Sequence, residues 1–160
     1  MKLTVIGCGY LGATHAACMA ELGHDVVGID VDPPRKIERL QDGDVPFFEP
    51  GLSDILRRNL DAGRLRFTTD PLAAADHGSV HFIGVGTPPQ EARGHRADLS
   101  HVHTAVETLV PTLRGKHVLI GKSTVPVGTC EELSQRISYL TAPGADIELA
   151  WSPEFLREAS

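Results

Sequence analysis

The sequence predicts an open, parallel α/β sheet covered by helices on both faces, on three observations. Short apolar runs alternate with helix-period segments from end to end, most of those runs are too apolar for a strand facing water, and each closes near Gly, Asp, Ser or Thr. With 160 residues, 41% apolar and 22% charged, the chain fits one soluble globular domain able to bury a core.

Six runs mark the strands: Leu3 to Ile6, Asp25 to Ile29, Leu65 to Thr68, Ser79 to Ile83, His117 to Ile120 and Ile147 to Trp151. Between the first two, Leu11, Cys18 and Leu22 recur at helical spacing with alanines in the gaps, and Gly23 stands where a left-handed stop is expected. Asp32-Pro33 reads as an N-cap and first helical residue, with Ile37 and Leu40 on the buried side. Leu52, Ile55, Leu56 and Leu60 repeat the spacing and Gly63 ends it, while Asp70-Pro71 opens a shorter helix.

Val102, Ala105, Val106, Leu109, Val110 and Leu113 form the clearest apolar stripe, capped by Asp98 or Ser100 and bent or ended early by Pro111. Thr129 with Glu132 predicts a capping box ahead of Leu133, Ile137 and Leu140. Two irregular segments, Gly43 to Gly51 and Gly84 to Ala97, are long enough to suggest a functional role.

A net charge of -6 opposes non-specific binding to nucleic acid or an anionic membrane. No uninterrupted apolar run approaches a membrane span, and the start MKLTVIGCGYLG lacks the pattern of a secretion signal, so the expected location is cytoplasmic. Cys8, Cys18 and Cys130 have no metal spacing and read as reduced thiols. His101 and His103 are two apart on a predicted helix and share no face, so no metal is expected.

The string GCGYLG places Gly7, Gly9 and Gly12 in a G-x-G-x-x-G pattern. Alone it is a weak signal, but it follows a strand, opens the helix from Tyr10 and precedes a second strand ending in Asp30. Gly7 permits the turn, Gly9 lets backbone amides approach a pyrophosphate, and Gly12 lets helix pack on strand. The helix head at Tyr10 and Leu11 then offers N–H groups and partial positive charge to the phosphates. Asp30, eighteen residues after Gly12, suits the ribose hydroxyls and repels a 2'-phosphate, which predicts NAD over NADP despite Arg35 nearby. The fold class is thus a Rossmann-type doubly wound parallel six-stranded sheet in a single domain.

Three more segments fall at strand ends, where such sheets bind ligands. In the first, Gly84 and Gly86 leave space, Pro88 and Pro89 stiffen the loop and Thr87 offers a hydroxyl, although a plain turn fits the spacing equally. In the second, Ser123 and Thr124 suit a water or a ribose hydroxyl, or merely satisfy backbone groups, and Lys122 reads as surface charge. In the third, Glu154 and Glu158 are four apart with Arg157 between them, a spacing that serves proton transfer and a solvated helix face alike.

Together GCGYLG, GIDVD, VPFFEPGL, VGTPP, ADLSHV, KSTVPVGT and SPEFLREAS closely resemble the UDP-glucose 6-dehydrogenase family, within the wider UDP-glucose/GDP-mannose dehydrogenases. The resemblance is collinear over essentially the whole chain, with STVPVGT and PEFLRE its specific parts. It implies a two-step, four-electron oxidation of the C6 alcohol of a nucleotide sugar, UDP-glucose, to a carboxylate, reducing two NAD in turn. Carried over by position, Leu11, Asp30, Arg35, Thr87, Thr124 and Glu158 line the NAD site. Glu154 is the proton acceptor, Thr124 positions the catalytic water, and Glu154, Phe155, Leu156, Arg157 and Glu158 contact the sugar nucleotide.

The resemblance also implies that residues 1–160 are the NAD-binding domain of a longer, homodimeric enzyme. Its central helix, its substrate domain, its nucleophilic cysteine and its oxyanion-stabilising lysine all fall outside the chain. None of Cys8, Cys18 and Cys130 matches that nucleophile, so the chain alone is expected to bind NAD without oxidising UDP-glucose. Two positions depart from the family pattern. Ser152 stands for the usual Asn and Ala159 for the usual Gly; if that position takes a positive φ, Ala159 strains the turn by roughly 1 kcal/mol or more. The alternatives are a GDP-mannose 6-dehydrogenase, a more distant β-hydroxyacid dehydrogenase and a non-catalytic NAD-sensing module.

Overall fold

All six expected strands pair in one parallel sheet. The computed structural model describes residues 1–31, 34–45, 47–90 and 96–155, without the side chains of Pro34, Arg35 and Arg96. In chain order the elements are β1 (Lys2–Ile6), α1 (Tyr10–Glu21), β2 (Asp25–Ile29), α2 (Pro34–Gln41), α3 (Leu52–Asp61), β3 (Leu65–Thr68), α4 (Ala73–His77) and β4 (Val80–Ile83). There follow β5 (Pro89–Gln90), β6 (Arg96–Ala97), α5 (Ser100–Leu109), a 3-10 turn at Val110–Thr112, β7 (Gly115–Gly121), α6 (Thr129–Leu140) and β8 (Ala145–Trp151). The sheet runs β3-β2-β1-β4-β7-β8, and the separate pair β5-β6 is an antiparallel ladder inside the Gly84 to Ala97 segment.

Alternate residues of the strands feed two cores. Leu3, Val5, Val26, Leu65 and Phe67 pack against α1, α2 and α3 on one face. Val27, Ile29, Ile83 and Leu119 pack against α4, α5 and α6 on the other. The outer strand β8 turns Asp146, Glu148 and Ala150 out and leaves its alternate residues half-buried.

Three local expectations are corrected. Helix α1 buries Gly12, Ala13, Ala16, Ala17 and Ala20, while Cys18 and Leu22 are exposed. Small residues, rather than the larger apolar ones, let this helix lie close on the sheet. Thr129 is the first residue of α6 behind a left-handed Gly128, and no side chain caps that end, so the Thr129–Glu132 capping box does not form. At α5 the N-cap is Leu99, which leaves neither Asp98 nor Ser100 in the cap position, although Asp98 Oδ1 accepts the Ser100 N–H at 2.9 Å just ahead of the helix. Pro111 falls in the 3-10 turn, so α5 ends early as expected. The expected cap at Asp32-Pro33 lies outside the described residues.

Near the amino ends of the central strands, a file of buried polar side chains crosses the sheet. Thr4 Oγ1 meets His81 Nδ1 at 2.7 Å, His81 Nε2 meets His117 Nδ1 at 2.9 Å, and His117 Nε2 meets the Arg114 carbonyl at 2.8 Å. That carbonyl can only accept, so His117 donates from Nε2. A neutral His81 ring donates from one nitrogen and accepts at the other, which links the Thr4 hydroxyl to His117. Burial, then His117 and His77, push the His81 imidazole down to about 4.

Candidate cofactor and active site

Strand order reverses between β1 and β4, and the loops leaving these strands open a crevice at their carboxyl ends. The loops are laced to the strands: Gly7 N–H donates to Ile29 O, Gly84 N–H to Ile6 O and Lys122 N–H to Ile83 O, each at 2.8 Å. Gly7 has φ +90°, and a Cβ on Gly12 would lie 1.7 Å from the Gly7 carbonyl oxygen, so both positions require glycine for the reasons read from the sequence. A Cβ on Gly9 would meet open space, and Gly9 lines both cavities described below.

The larger cavity, about 620 Å³, is lined by Gly7, Asp30, Lys36, Val85, Ala105 and Leu109 among others. Asp30 sits at its wall, where Oδ2 accepts the Cys8 N–H at 2.8 Å and pairs with Lys36 Nζ at 2.7 Å. Lys36 was not singled out in the sequence, and the signal available was its place on the helix that follows Asp30. The side chain of Arg35, the cation that was singled out, lies outside the described residues. Cys8 is buried in the turn, and burial followed by the Asp30 charge raises its thiol well above the usual range.

The smaller cavity, about 240 Å³, is lined by Gly9, Tyr10, Leu11, Gly84, Val85, Gly86, Thr87, Lys122, Ser123, Thr124 and Glu154. It brings together the three strand-end segments and the head of α1. Thr87 donates its hydroxyl to the Thr124 carbonyl at 2.8 Å, and Ser123 donates to the Val85 carbonyl at 2.6 Å. Trp151, the last residue of β8, donates its indole N–H to the Ser123 carbonyl at 2.9 Å, and its ring occupies the space a Gly121 Cβ would take. The Tyr10 hydroxyl donates to Glu49 Oε2 at 2.9 Å and its ring meets Phe47 edge-on, which ties the Gly43 to Gly51 segment to the rim.

Lys122 corrects the expectation of surface charge. Its side chain is 13% exposed and Nζ lies 3.4 Å from Glu154 Oε2. The missed signal was position, since Lys122 directly follows an apolar strand at the sheet end where ligands bind. The Phe155 N–H, bonded to Glu154 Oε1 at 2.9 Å, and then the Lys122 ammonium hold the Glu154 carboxyl below the ordinary carboxylate value. Behind them on α1, His15 packs edge-on to Phe82, and burial followed by Lys122 lowers its pKa. Phe155 is exposed, and Leu156, Arg157, Glu158 and Ala159 lie outside the described residues. Ser152 is anchored by its backbone, donating N–H to the Gly121 carbonyl at 2.9 Å.

The cavities fit a dinucleotide on this chain's own features. The larger lies within the roughly 300–1,000 Å³ of ligand pockets and has mostly apolar walls with a carboxylate at one side. The head of α1 and the open space at Gly9 lie between it and the smaller, more polar one. None of the three cysteines lines either cavity, and all three are free thiols. Among the described residues, no cluster suits a metal and no helix is long and apolar enough to cross a membrane.

Comparison with known proteins agrees with this geometry. A family profile described as the UDP-glucose/GDP-mannose dehydrogenase family, NAD binding domain, matches residues 1–160. The UDP-glucose 6-dehydrogenase of Rhizobium meliloti (strain 1021) is 46% identical over 160 residues, covering 100% of this chain and 36% of that protein. The solved UDP-glucose dehydrogenase of Pyrobaculum islandicum matches at TM-score 0.89 and 41% identity, covering 100% of this chain and 37% of that one. A ternary complex of GDP-mannose dehydrogenase from Pseudomonas aeruginosa matches at TM-score 0.91 and 35% identity, covering 99% and 37%. The chain thus spans about a third of the length of the curated relatives it matches.

Proposed function

The chain belongs to the UDP-glucose/GDP-mannose dehydrogenase family, as its NAD-binding domain, and from that premise we propose that it is the N-terminal, NAD-binding part of a longer UDP-glucose 6-dehydrogenase. The observation that carries the cofactor's pose is the Asp30 carboxylate, fixed by the Cys8 amide at the wall of the larger cavity. The choice of sugar nucleotide rests on the relatives' own activity.

When bound, NAD supplies the hydride acceptor for oxidation of the alcohol. Asp30 accepts hydrogen bonds from the adenosine ribose hydroxyls, in a place where a 2'-phosphate would meet its charge. Gly7, Gly9 and Gly12 let the backbone and the head of α1, at Tyr10 and Leu11, hold the pyrophosphate. Thr87 and Thr124 border the reacting end, with Arg35 and Glu158 completing the cofactor's contacts. Glu154 accepts the proton of a water positioned by Thr124, and the segment Glu154, Phe155, Leu156, Arg157 and Glu158 contacts the sugar nucleotide. The nucleophile comes from outside the chain, since Cys8 is sealed in its turn and Cys18 and Cys130 are away from both cavities.

Calorimetric titration of the chain with NAD and NADP tests the cofactor reading, with NAD expected to bind and NADP to bind more weakly. Tighter NADP binding overturns it. The full-length protein is expected to turn over UDP-glucose, and faster turnover of GDP-mannose would move the assignment to the other branch of the family. Turnover by residues 1–160 alone would contradict the placement of the nucleophile.

A further inference from the structure

Lys122 links three strand ends. Its N–H donates to the Ile83 carbonyl at the end of β4, and its carbonyl accepts the Glu154 N–H at 3.0 Å just beyond β8. It directly follows β7, so its backbone is fixed from both sides. The side chain then has little freedom except toward the smaller cavity, which it lines beside Glu154. A lysine 13% exposed loses much of its hydration, and an anion must offset that cost. Among the described residues, the charged or titratable groups acting on the Glu154 carboxylate are Lys122 and, more weakly, His15 from α1. His15 has Nε2 buried without a hydrogen-bond partner, in a setting that disfavours its charged form.

We propose that Lys122 is a positioning residue for the oxidation: its ammonium orients the Glu154 carboxylate at the cleft between the Gly84 to Thr87 and Ser123 to Thr124 segments and keeps it in the proton-accepting form. The proposal rests on the function given above, in which Glu154 is the proton acceptor. Oε1 is held by the Phe155 N–H and Oε2 faces Lys122, so the two contacts together fix the plane of the carboxylate. Loss of the ammonium leaves one contact and a rotatable side chain.

The test follows the Glu154 carboxyl carbon by NMR through a pH titration of the chain, unmodified and as Lys122→Met, Lys122→Gln, Lys122→Arg and His15→Phe. The Glu154 midpoint is expected to rise in Lys122→Met and Lys122→Gln, to stay low in Lys122→Arg, and to move less in His15→Phe than in Lys122→Met. In the full-length enzyme, Lys122→Met should lower kcat by about 10- to 100-fold. The acid limb of its pH profile should move upward, because a base with a higher midpoint is protonated over more of the range, and Lys122→Arg should restore most of the rate. A Glu154 midpoint unchanged in both Lys122→Met and Lys122→Gln overturns the proposal, as does a larger shift from His15→Phe. If the midpoints move as expected but the full-length enzyme oxidises no sugar nucleotide, the coupling stands and the proposed reaction falls.

Discussion

At the carboxyl ends of β1, β2, β4 and β7, polar groups face an open crevice: Asp30 with Lys36, Glu154 with Lys122, and the head of α1. Toward the amino ends, Thr4, His81 and His117 close on one another and on a single backbone carbonyl, with exposures of 0%, 0% and 7%. One set carries charges and borders open space, while the other is sealed between strands. The same parallel sheet therefore carries one rim whose polar groups border an open crevice and one whose polar groups hold strands together. Substitutions at the first should change binding with little loss of stability, and at the second the reverse.

The position most able to break this separation is Gly12, where the rim is also a packing contact. Gly12→Ala puts a methyl 1.7 Å from the Gly7 carbonyl and should abolish NAD binding along with much of the stability, as seen by calorimetry and thermal unfolding. Asp30→Ala tests the ligand rim alone. Losing a charged hydrogen-bond acceptor should weaken NAD by about 10- to 100-fold and narrow the preference over NADP, while the Cys8 N–H left without its acceptor should lower the melting temperature less than Gly12→Ala does.

Thr4→Val is the converse, leaving His81 Nδ1 buried without its partner. It should cost about 1–3 kcal/mol in chemical denaturation while NAD affinity holds. The histidine file also predicts a pH dependence. His81 has a folded pKa of about 4 against an ordinary 6.5, so the unfolded chain binds more protons between those values. Stability should fall as pH drops from about 6.5 to about 4, and His81→Gln should flatten that slope in a series of melting curves. The smallest effect is expected at Tyr10→Phe, which removes the bond to Glu49 and should change NAD affinity by about threefold or less.

What the sequence disclosed follows the range of the interactions involved. Strand positions were legible because burial on both faces leaves continuous apolar runs, and the glycine turn because its steric demands act within six residues. Asp30 was legible because a βαβ unit fixes its distance from Gly12. Lys122 was misread because its anion lies beyond the next helix and strand, at a spacing no local pattern encodes. The Thr4–His81–His117 file went unseen for the same reason, as its members sit on three different strands. The capping box at Thr129 failed because Gly128 already supplies the turn into α6, so the Thr hydroxyl has no capping role.

Trp151 gives the molecule an internal reporter. It is the chain's one tryptophan, and its indole N–H rests on the carbonyl of Ser123, next to Thr124 at the floor of the smaller cavity. Any ligand that shifts this carbonyl alters the hydrogen bond on which the indole's emission depends. Intrinsic fluorescence should therefore register occupancy of the crevice without a label, and a titration can be read from a single chromophore whose location is known.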